Sequence, residues 1–174
     1  SGIRDARLVA CIMDDPDQVT EQQMDDWVKD FDSWDVCDGC CLHLFSWSKH
    51  AHKKAREWSN SKEEFVKRAG YVMIATLAIH DKSASDAKFR AYFPLIIKSA
   101  TDDRNYVKKA VNWALRQIGK RNLTLNKEAA AVAKRIHKMD SRSARWVATD
   151  ALRELTSEKV MKRLKKEKPS ARSH

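Results

Sequence analysis

The sequence contains an amphipathic helical pattern that recurs about every 40 residues. Its clearest copy is Tyr106–Arg121, in which apolar residues repeat at the three- and four-residue spacing of one helix face. A second copy begins at Phe65, 41 residues upstream, and a weaker copy, Asp150–Leu155, lies 37 residues after the matching segment Trp113–Ile118. Such a period is typical of stacked two-helix repeats, which bury their apolar faces against one another.

Turn-forming residues are scarce, since the 174 residues include only four glycines and three prolines. A sheet-rich fold needs many tight turns, so we predict an all-α chain. Helix pairs at this period predict an α-solenoid, or superhelix, as one domain over residues 1–166, followed by a basic, flexible tail over 167–174. The chain opens without an initiator methionine inside an apolar-periodic segment, so we expect an N-terminal part of the full protein to be missing.

Local signals indicate where several helices begin and bend. Thr20–Gln23 has the pattern of a capping box, and Ser61–Glu64 is a second capping signature ahead of an apolar run. We predict a single helix over 83–100, which Pro94 can bend because proline donates no backbone hydrogen bond.

The net charge of +10 is unevenly distributed. Residues 14–38 contain ten carboxylates and one lysine, whereas the chain after Asp38 contains 31 lysines and arginines against 13 acidic residues. A basic body of this kind usually faces a polyanion, with nucleic acid the first candidate and an anionic membrane the second; a basic surface kept for solubility is the alternative. No secretory signal or membrane-spanning apolar run is present, and we predict a cytoplasmic protein without a membrane partner, nucleoid-associated when bound to DNA.

The four cysteines are Cys11, Cys37, Cys40 and Cys41. We expect their thiols to be reduced in a cytoplasm and to act as small buried residues on a helix. The Cys37 and Cys40 spacing could indicate zinc or redox chemistry, but no second cysteine pair follows, and His43 lies too close to complete a tetrahedral site. We therefore predict no metal and no cofactor.

One candidate site is formed by Trp34 and Asp38, which lie four residues apart on a predicted helix. This spacing places an aromatic face and a carboxylate one above the other, an arrangement suited to a cationic ring that the indole stacks on and the carboxylate neutralises. The alternative is that Trp34 belongs to the core and Asp38 pairs with a nearby lysine.

A stripe of cations with one tryptophan runs along the clearest repeated helix. Lys109, Trp113, Arg116 and Lys120 lie at successive one-turn steps, as expected for a binding face. In the other copies Arg68 aligns with Lys109, and Arg145 aligns with Lys108. Trp146 is either a core residue or a further aromatic on the same groove.

The sequence resembles the DNA alkylation repair family, the AlkD-like DNA glycosylases with HEAT-like repeats, in the segments Phe31–Asp38, Val66–Ala69 and Val107–Arg116. The similarity runs from about Ile3 to Leu155, and the Trp-x-x-x-Asp and Trp-Ala-Leu-Arg elements are fairly specific.

The resemblance implies a role for each matching residue. Asp38 is the catalytic aspartate, Trp34 and Trp113 lie beside the damaged nucleotide, and Arg68 lies at the DNA backbone. Lys67, Lys109, Arg116, Lys120 and Arg145 then line the duplex and contact phosphates. The acidic run over 14–32 is expected to lie away from the DNA, because carboxylates repel phosphates.

The implied function is excision of cationic N3- or N7-alkylpurines from duplex DNA by a monomeric glycosylase. A purine alkylated at these positions is already a good leaving group, so one ionised carboxylate that stabilises the developing sugar cation and orients a water is sufficient chemistry. Two alternatives remain: a non-catalytic protein of the same fold that binds damaged or branched DNA, and a protein-interaction scaffold with weak affinity for DNA.

Overall fold

The computed structural model describes residues 4–166, which fold into α-helices, one 3₁₀ turn and connecting loops, with no strand in this range. The helices are, in chain order, α1 (Arg4–Met13), α2 (Glu21–Lys29), α3 (Trp34–His43), α4 (Ala51–Trp58), α5 (Glu64–His80), α6 (Asp86–Arg90), α7 (Phe93–Ser99), α8 (Asn105–Gly119), α9 (Leu123–His137), α10 (Arg142–Leu155) and α11 (Glu158–Lys166), with the 3₁₀ turn at Phe45–Trp47. The all-α prediction is confirmed. The predicted tail over 167–174 lies outside the described residues.

The helices form two layers. In the first layer α1, α3, α5, α8 and α10 pack side by side, each against the next. In the second layer α4 packs on α5, α7 packs on α8 and α9, and α9 packs on α8 and α10. The first layer contains the repeated helices of the sequence, and the period of about 40 residues corresponds to the steps from α5 to α8 and from α8 to α10.

Side-chain caps fix some helix starts and not others. The Thr20 hydroxyl accepts a hydrogen bond from the Gln23 amide at 3.1 Å, as the capping box predicts. The Ser61 signature does not cap α5, because its hydroxyl accepts from the Glu63 amide at 3.1 Å in the preceding turn.

The prediction of a single helix over 83–100 is wrong: the chain forms α6 and α7, and Pro94 lies in the first turn of α7. Proline is tolerated at a helix start, where its missing amide hydrogen has no partner to lose.

The central helix α5 is buried on all sides along most of its length. Every residue from Ala69 to Ala78 is buried, and the helix packs against α3, α4 and α8. Gly70 permits its closest contact, with the backbone at the end of α4. A Cβ at this position would lie 2.7 Å from Ser59 Cα and 2.8 Å from the Trp58 carbonyl carbon.

We predict that Gly70→Ala destabilises the protein by about 1–3 kcal/mol, because the added methyl group meets rigid backbone and overpacks the core. The control is Gly39→Ala on α3, where the added methyl group contacts only the end of the flexible Leu8 side chain. That variant should be close to wild type, since alanine also favours the helix by up to about 1 kcal/mol. Urea denaturation of the three proteins tests this, and equal stability of the two variants would contradict it.

The cysteines connect the first three helices of the first layer, α1, α3 and α5. Cys11 on α1 and Cys40 on α3 form a disulfide with a Cα–Cα distance of 5.1 Å, so the prediction of reduced thiols is wrong for this pair. Cys37 and Cys41 are free and buried, as predicted. Their Sγ atoms lie 3.7 and 3.8 Å from the carbonyl oxygens of Phe65 and Ala69, and so contact α5 directly.

None of the helices within residues 4–166 has the length and apolar character needed to cross a lipid bilayer.

Candidate active site and nucleic-acid interface

Asp38 and Arg68 form a two-point ion pair between α3 and α5. Arg68 donates from Nε to Asp38 Oδ1 at 2.9 Å and from Nη2 to Asp38 Oδ2 at 2.8 Å. Its remaining nitrogen, Nη1, donates to the backbone carbonyl of Tyr106 at 2.7 Å, at the start of α8. The guanidinium therefore links three adjacent first-layer helices and fixes the orientation of the carboxylate.

The pair is largely removed from water, with exposed side-chain fractions of 16% for Asp38 and 9% for Arg68. Burial raises the pKa of Asp38, and the hydrogen bonds and charge of Arg68 oppose that rise. Burial also acts to lower the pKa of Arg68, but the hydrogen bonds and charge of Asp38 outweigh it and leave that pKa raised. Since the guanidinium stays protonated and donates to both carboxylate oxygens, the geometry favours an ionised Asp38 at neutral pH.

Trp34 lies one helical turn before Asp38, at the first position of α3. The residue is 52% exposed, so Trp34 is not a core residue. Asp38 pairs with an arginine on α5 rather than with a lysine, so the alternative interpretation is wrong both for Trp34 and for the partner of Asp38. The exposed indole, one turn from a largely dehydrated carboxylate, can contact a ligand that approaches the surface of α3.

Trp113 is partly buried against the core on α8, two first-layer helices away from α3. With its amide oriented to satisfy both neighbours, Gln117 accepts from Trp113 Nε1 at 2.8 Å and from Lys120 Nζ at 3.2 Å. The connection from Asp38 to the helix of Trp113 is made by Arg68, through the carbonyl of Tyr106.

Three of the predicted phosphate ligands are engaged with carboxylates. Lys67 lies 2.9 Å from Asp102, and Lys120 lies 2.6 Å from Glu154 on α10. Arg116 donates to the same Glu154. Sequence reasoning missed these acidic partners, although Asp150 and Glu154 have the same four-residue spacing as Arg116 and Lys120. The spacing alone does not reveal that the two pairs face each other across α8 and α10.

The other two predicted phosphate ligands are accessible. Lys109 is exposed and forms no ion pair within residues 4–166. Arg145 is half exposed, and the nearest carboxylate oxygen, on the fully exposed Asp140, lies 3.5 Å away. These two side chains keep their positive charge available to an anionic ligand.

Asp102 is the centre of a second polar cluster. Its carboxylate accepts from Lys67 and, at 2.9 and 2.7 Å, from Nε and Nη2 of Arg104. Its backbone carbonyl accepts from the hydroxyl of Ser143 on α10 at 2.6 Å. The segment before α8 is thereby connected to α5 on one side and to α10 on the other.

The pKa of Asp102 is held well below its usual range, chiefly by the hydrogen bonds from Arg104, with burial opposing and Lys67 assisting. A depressed pKa in the folded state contributes stability above the unfolded value, near pH 4, and this contribution is lost as the pH falls. Asp102→Asn should therefore cost about 1.5–3 kcal/mol at pH 7 and progressively less below about pH 4. Urea denaturation across this pH range tests it, with the exposed neighbour Asp103→Asn as control; a pH-independent difference would contradict it.

Trp146 on α10 is 41% exposed, which places it on the surface and not in the core. The ammonium group of Lys108 on α8 lies 5.2 Å from the centre of its ring, within the range of a cation–π contact.

Within residues 4–166, histidine, cysteine and acidic side chains nowhere converge in a group of three or more that could ligate a metal ion.

The fold and the site together define a helical-repeat protein with a guanidinium-held carboxylate and exposed tryptophans on its first-layer helices. Comparison with known families gives the family: the model of the DNA alkylation repair enzyme family matches residues 1–166, and the chain belongs to this family. The resemblance found in the sequence is therefore confirmed.

A solved structure confirms the HEAT-like repeat fold. It is described as a new family of proteins related to the HEAT-like repeat DNA glycosylases with affinity for branched DNA structures. The two chains superpose with a TM-score of 0.68 at 21% sequence identity, over 84% of this chain and 67% of that one. No curated protein sequence gives a significant match.

Proposed function

We propose that this protein is a DNA glycosylase that excises cationic N3- or N7-alkylated purines from duplex DNA. The observation that carries the proposal is the Asp38–Arg68 pair, a largely dehydrated carboxylate held by two hydrogen bonds one turn from the exposed Trp34. A fixed negative charge in such surroundings stabilises a developing cation more strongly than the same charge in water, because little reorganisation is required when the cation forms.

The reaction breaks the bond between C1′ of the deoxyribose and the purine nitrogen. The electron pair of this bond goes to the alkylpurine, which leaves as a neutral base because it was cationic in the DNA. The sugar becomes oxocarbenium-like, and Asp38 stabilises its charge. Water then adds to C1′, and the proton that water loses passes to Asp38 or to solvent, which leaves an abasic site.

Arg68 has a different role in this proposal from the one implied by the family resemblance. Its Nε and Nη2 are directed at Asp38 and its Nη1 at the Tyr106 carbonyl, so it serves mainly to position the catalytic carboxylate. Trp34 and Trp113 provide aromatic surface for the deoxyribose and base of the damaged nucleotide.

Phosphate binding falls chiefly to the cations that have no strong internal partner. Lys109 and Arg145 are the first candidates, whereas Lys67, Arg116 and Lys120 must exchange a carboxylate for a phosphate before they contribute. Each phosphate that is neutralised steepens the dependence of log affinity on log salt concentration by about 0.9. In this proposal the chain acts as a monomer on chromosomal DNA in the cytoplasm.

The direct test is release of 7-methylguanine from methylated duplex DNA by the full chain. We expect release with time at enzyme concentrations that saturate the duplex. Saturated binding without any released base would contradict the glycosylase proposal.

A second candidate function is binding of branched DNA without base release. The description of the structurally similar protein favours it, since that protein is characterised by affinity for branched structures. Tighter binding of a junction than of a methylated duplex, with no release from either, would support this candidate. Weak binding of both with a shallow salt dependence would instead favour a protein-interaction scaffold.

A further inference from the structure

The last first-layer helix carries a second stripe of cations with one tryptophan. On α10, Arg142, Trp146, Thr149 and Arg153 are all exposed and follow one another at steps of four, three and four residues. Lys109, Trp113, Arg116 and Lys120 on α8 have the same spacing. In both stripes a cation precedes the tryptophan by one turn, and a second cation follows it by seven residues.

The two stripes differ in how much of their positive charge is neutralised. On α8, Arg116 and Lys120 pair with Glu154. Around Trp146, by contrast, Lys108 and Arg142 form no ion pair within residues 4–166, and Lys108 lies against the indole ring. Arg153 does pair with Asp150, so the uncompensated charge lies at the N-terminal half of α10.

An exposed indole among uncompensated cations fits a nucleotide whose base is available for stacking. The ring offers an aromatic surface to a base, and the cations meet the adjacent phosphates. A continuous duplex hides its base faces in the stack, whereas an unpaired base at a branch or at the edge of a single-stranded segment exposes them. The chemistry of Trp146 therefore favours an unstacked base over an intact duplex.

The position of the second stripe sets its distance from the stripe on α8. α8 and α10 are adjacent helices, and packed helix axes lie about 8–10 Å apart. With about 3.4 Å between successive nucleotides of a strand, this separation corresponds to roughly three base pairs.

We propose that Trp146, Lys108 and Arg142 form a second DNA-binding subsite that takes an unstacked base at a branch point or single-strand boundary, roughly three base pairs from the DNA at Trp113 on α8. The inference rests on the DNA-binding function proposed above. It holds for the glycosylase and for the branched-DNA binder, since it concerns how the DNA is held and not whether a base is released.

The test compares two fluorescein-labelled probes, an unbranched duplex and the same duplex with a short single-stranded branch, by anisotropy titration. Trp146→Ala is expected to weaken binding of the branched probe by about 5- to 150-fold, the effect of losing one base–aromatic stack. The loss on the unbranched duplex should be smaller, so that the ratio of the two affinities falls. The matched control is Trp47→Ala, which removes another exposed tryptophan, one that stacks on His80 at the C-terminal end of α5.

A second variant separates the charge from the aromatic ring. Lys108→Met keeps the apolar stem over Trp146 and removes the ammonium group, and it should reduce the salt-dependence slope on the branched probe by about 0.9. Equal losses on both probes with Trp146→Ala, or a loss with Trp47→Ala as large as that with Trp146→Ala, would overturn the subsite.

Base release from the unbranched methylated duplex by the wild-type chain reports separately on the glycosylase. Base release by the wild-type chain, combined with an unchanged affinity ratio in Trp146→Ala, would support the glycosylase proposal and contradict the subsite. A lowered affinity ratio without any base release would support the subsite and contradict the glycosylase proposal.

Discussion

Asp38→Asn is expected to lower release of 7-methylguanine from methylated duplex DNA by at least about a hundredfold, the usual effect of removing one preorganised electrostatic stabiliser. The asparagine side chain has nearly the same shape, but it carries no negative charge to stabilise the sugar cation and cannot accept the proton from water. Single-turnover rates should be measured with both proteins saturated with DNA, so that a difference in affinity does not enter the comparison.

The control for this variant is Asp35→Asn. Asp35 lies three residues earlier on α3, and its carboxylate is also paired with an arginine, Arg4. It therefore reports the effect of removing an ion-paired carboxylate from the same helix without touching the proposed catalyst. Release by Asp38→Asn within a few-fold of wild type would exclude Asp38 as the catalytic residue, whatever the behaviour of Asp35→Asn.

Arg68→Met is expected to destabilise the protein by about 3 kcal/mol, the lower end of the range for breaking a buried ion pair, because Asp38 keeps some contact with water. The substitution removes two hydrogen bonds to Asp38 and one to the Tyr106 carbonyl. Urea denaturation measures the loss. The control is Arg90→Met, which breaks a surface pair with Glu128 and should cost less than about 1 kcal/mol.

The double variant Asp38→Asn/Arg68→Met distinguishes loss of the pair from loss of the arginine itself. Since the uncharged amide tolerates burial better than an unpaired carboxylate, the double variant should be more stable than the sum of the two single effects implies, by about 0.5–3 kcal/mol. Strict additivity would contradict a coupled pair.

Arg68→Met also has an expected effect on the pH profile of base release. Without the guanidinium, burial acts unopposed and the pKa of Asp38 rises further. Because the ionised carboxylate is the active form, the acidic limb of any residual activity should move to higher pH. An unchanged acidic limb would assign that limb to another group.

The fold was largely predictable because its main determinant is local. Repeated helical periodicity and the scarcity of turn residues predict a helical repeat without knowledge of any contact. The predicted helix boundaries are wrong where one residue is compatible with two local structures. Pro94 was compatible with a bend or with a new start, and only the packing of α7 against α8 and α9 selects the start. The Ser61 hydroxyl could cap a helix or close a turn, and it closes the turn.

The site was predictable within one helix and not between helices. The four-residue spacing of Trp34 and Asp38 correctly placed both on α3, and the exposed indole could be expected from their proposed role. The pairing of Asp38 with Arg68 depends on the register of α3 against α5, which helix periodicity does not contain. The Cys11–Cys40 disulfide was missed for the same reason, since it depends on how α1 and α3 approach each other.

The polar cluster around Asp102 affects how this protein unfolds. Helical repeats contact mainly their nearest neighbours, so an array of them can lose structure one unit at a time from either end. Here Asp102, in the segment before α8, accepts hydrogen bonds from Ser143 on α10 and from Lys67 on α5. One residue therefore connects three first-layer helices. Opening the C-terminal repeat therefore disturbs the middle of the array, and these repeats should unfold as one cooperative block, with amide hydrogens of α5, α8 and α10 exchanging together.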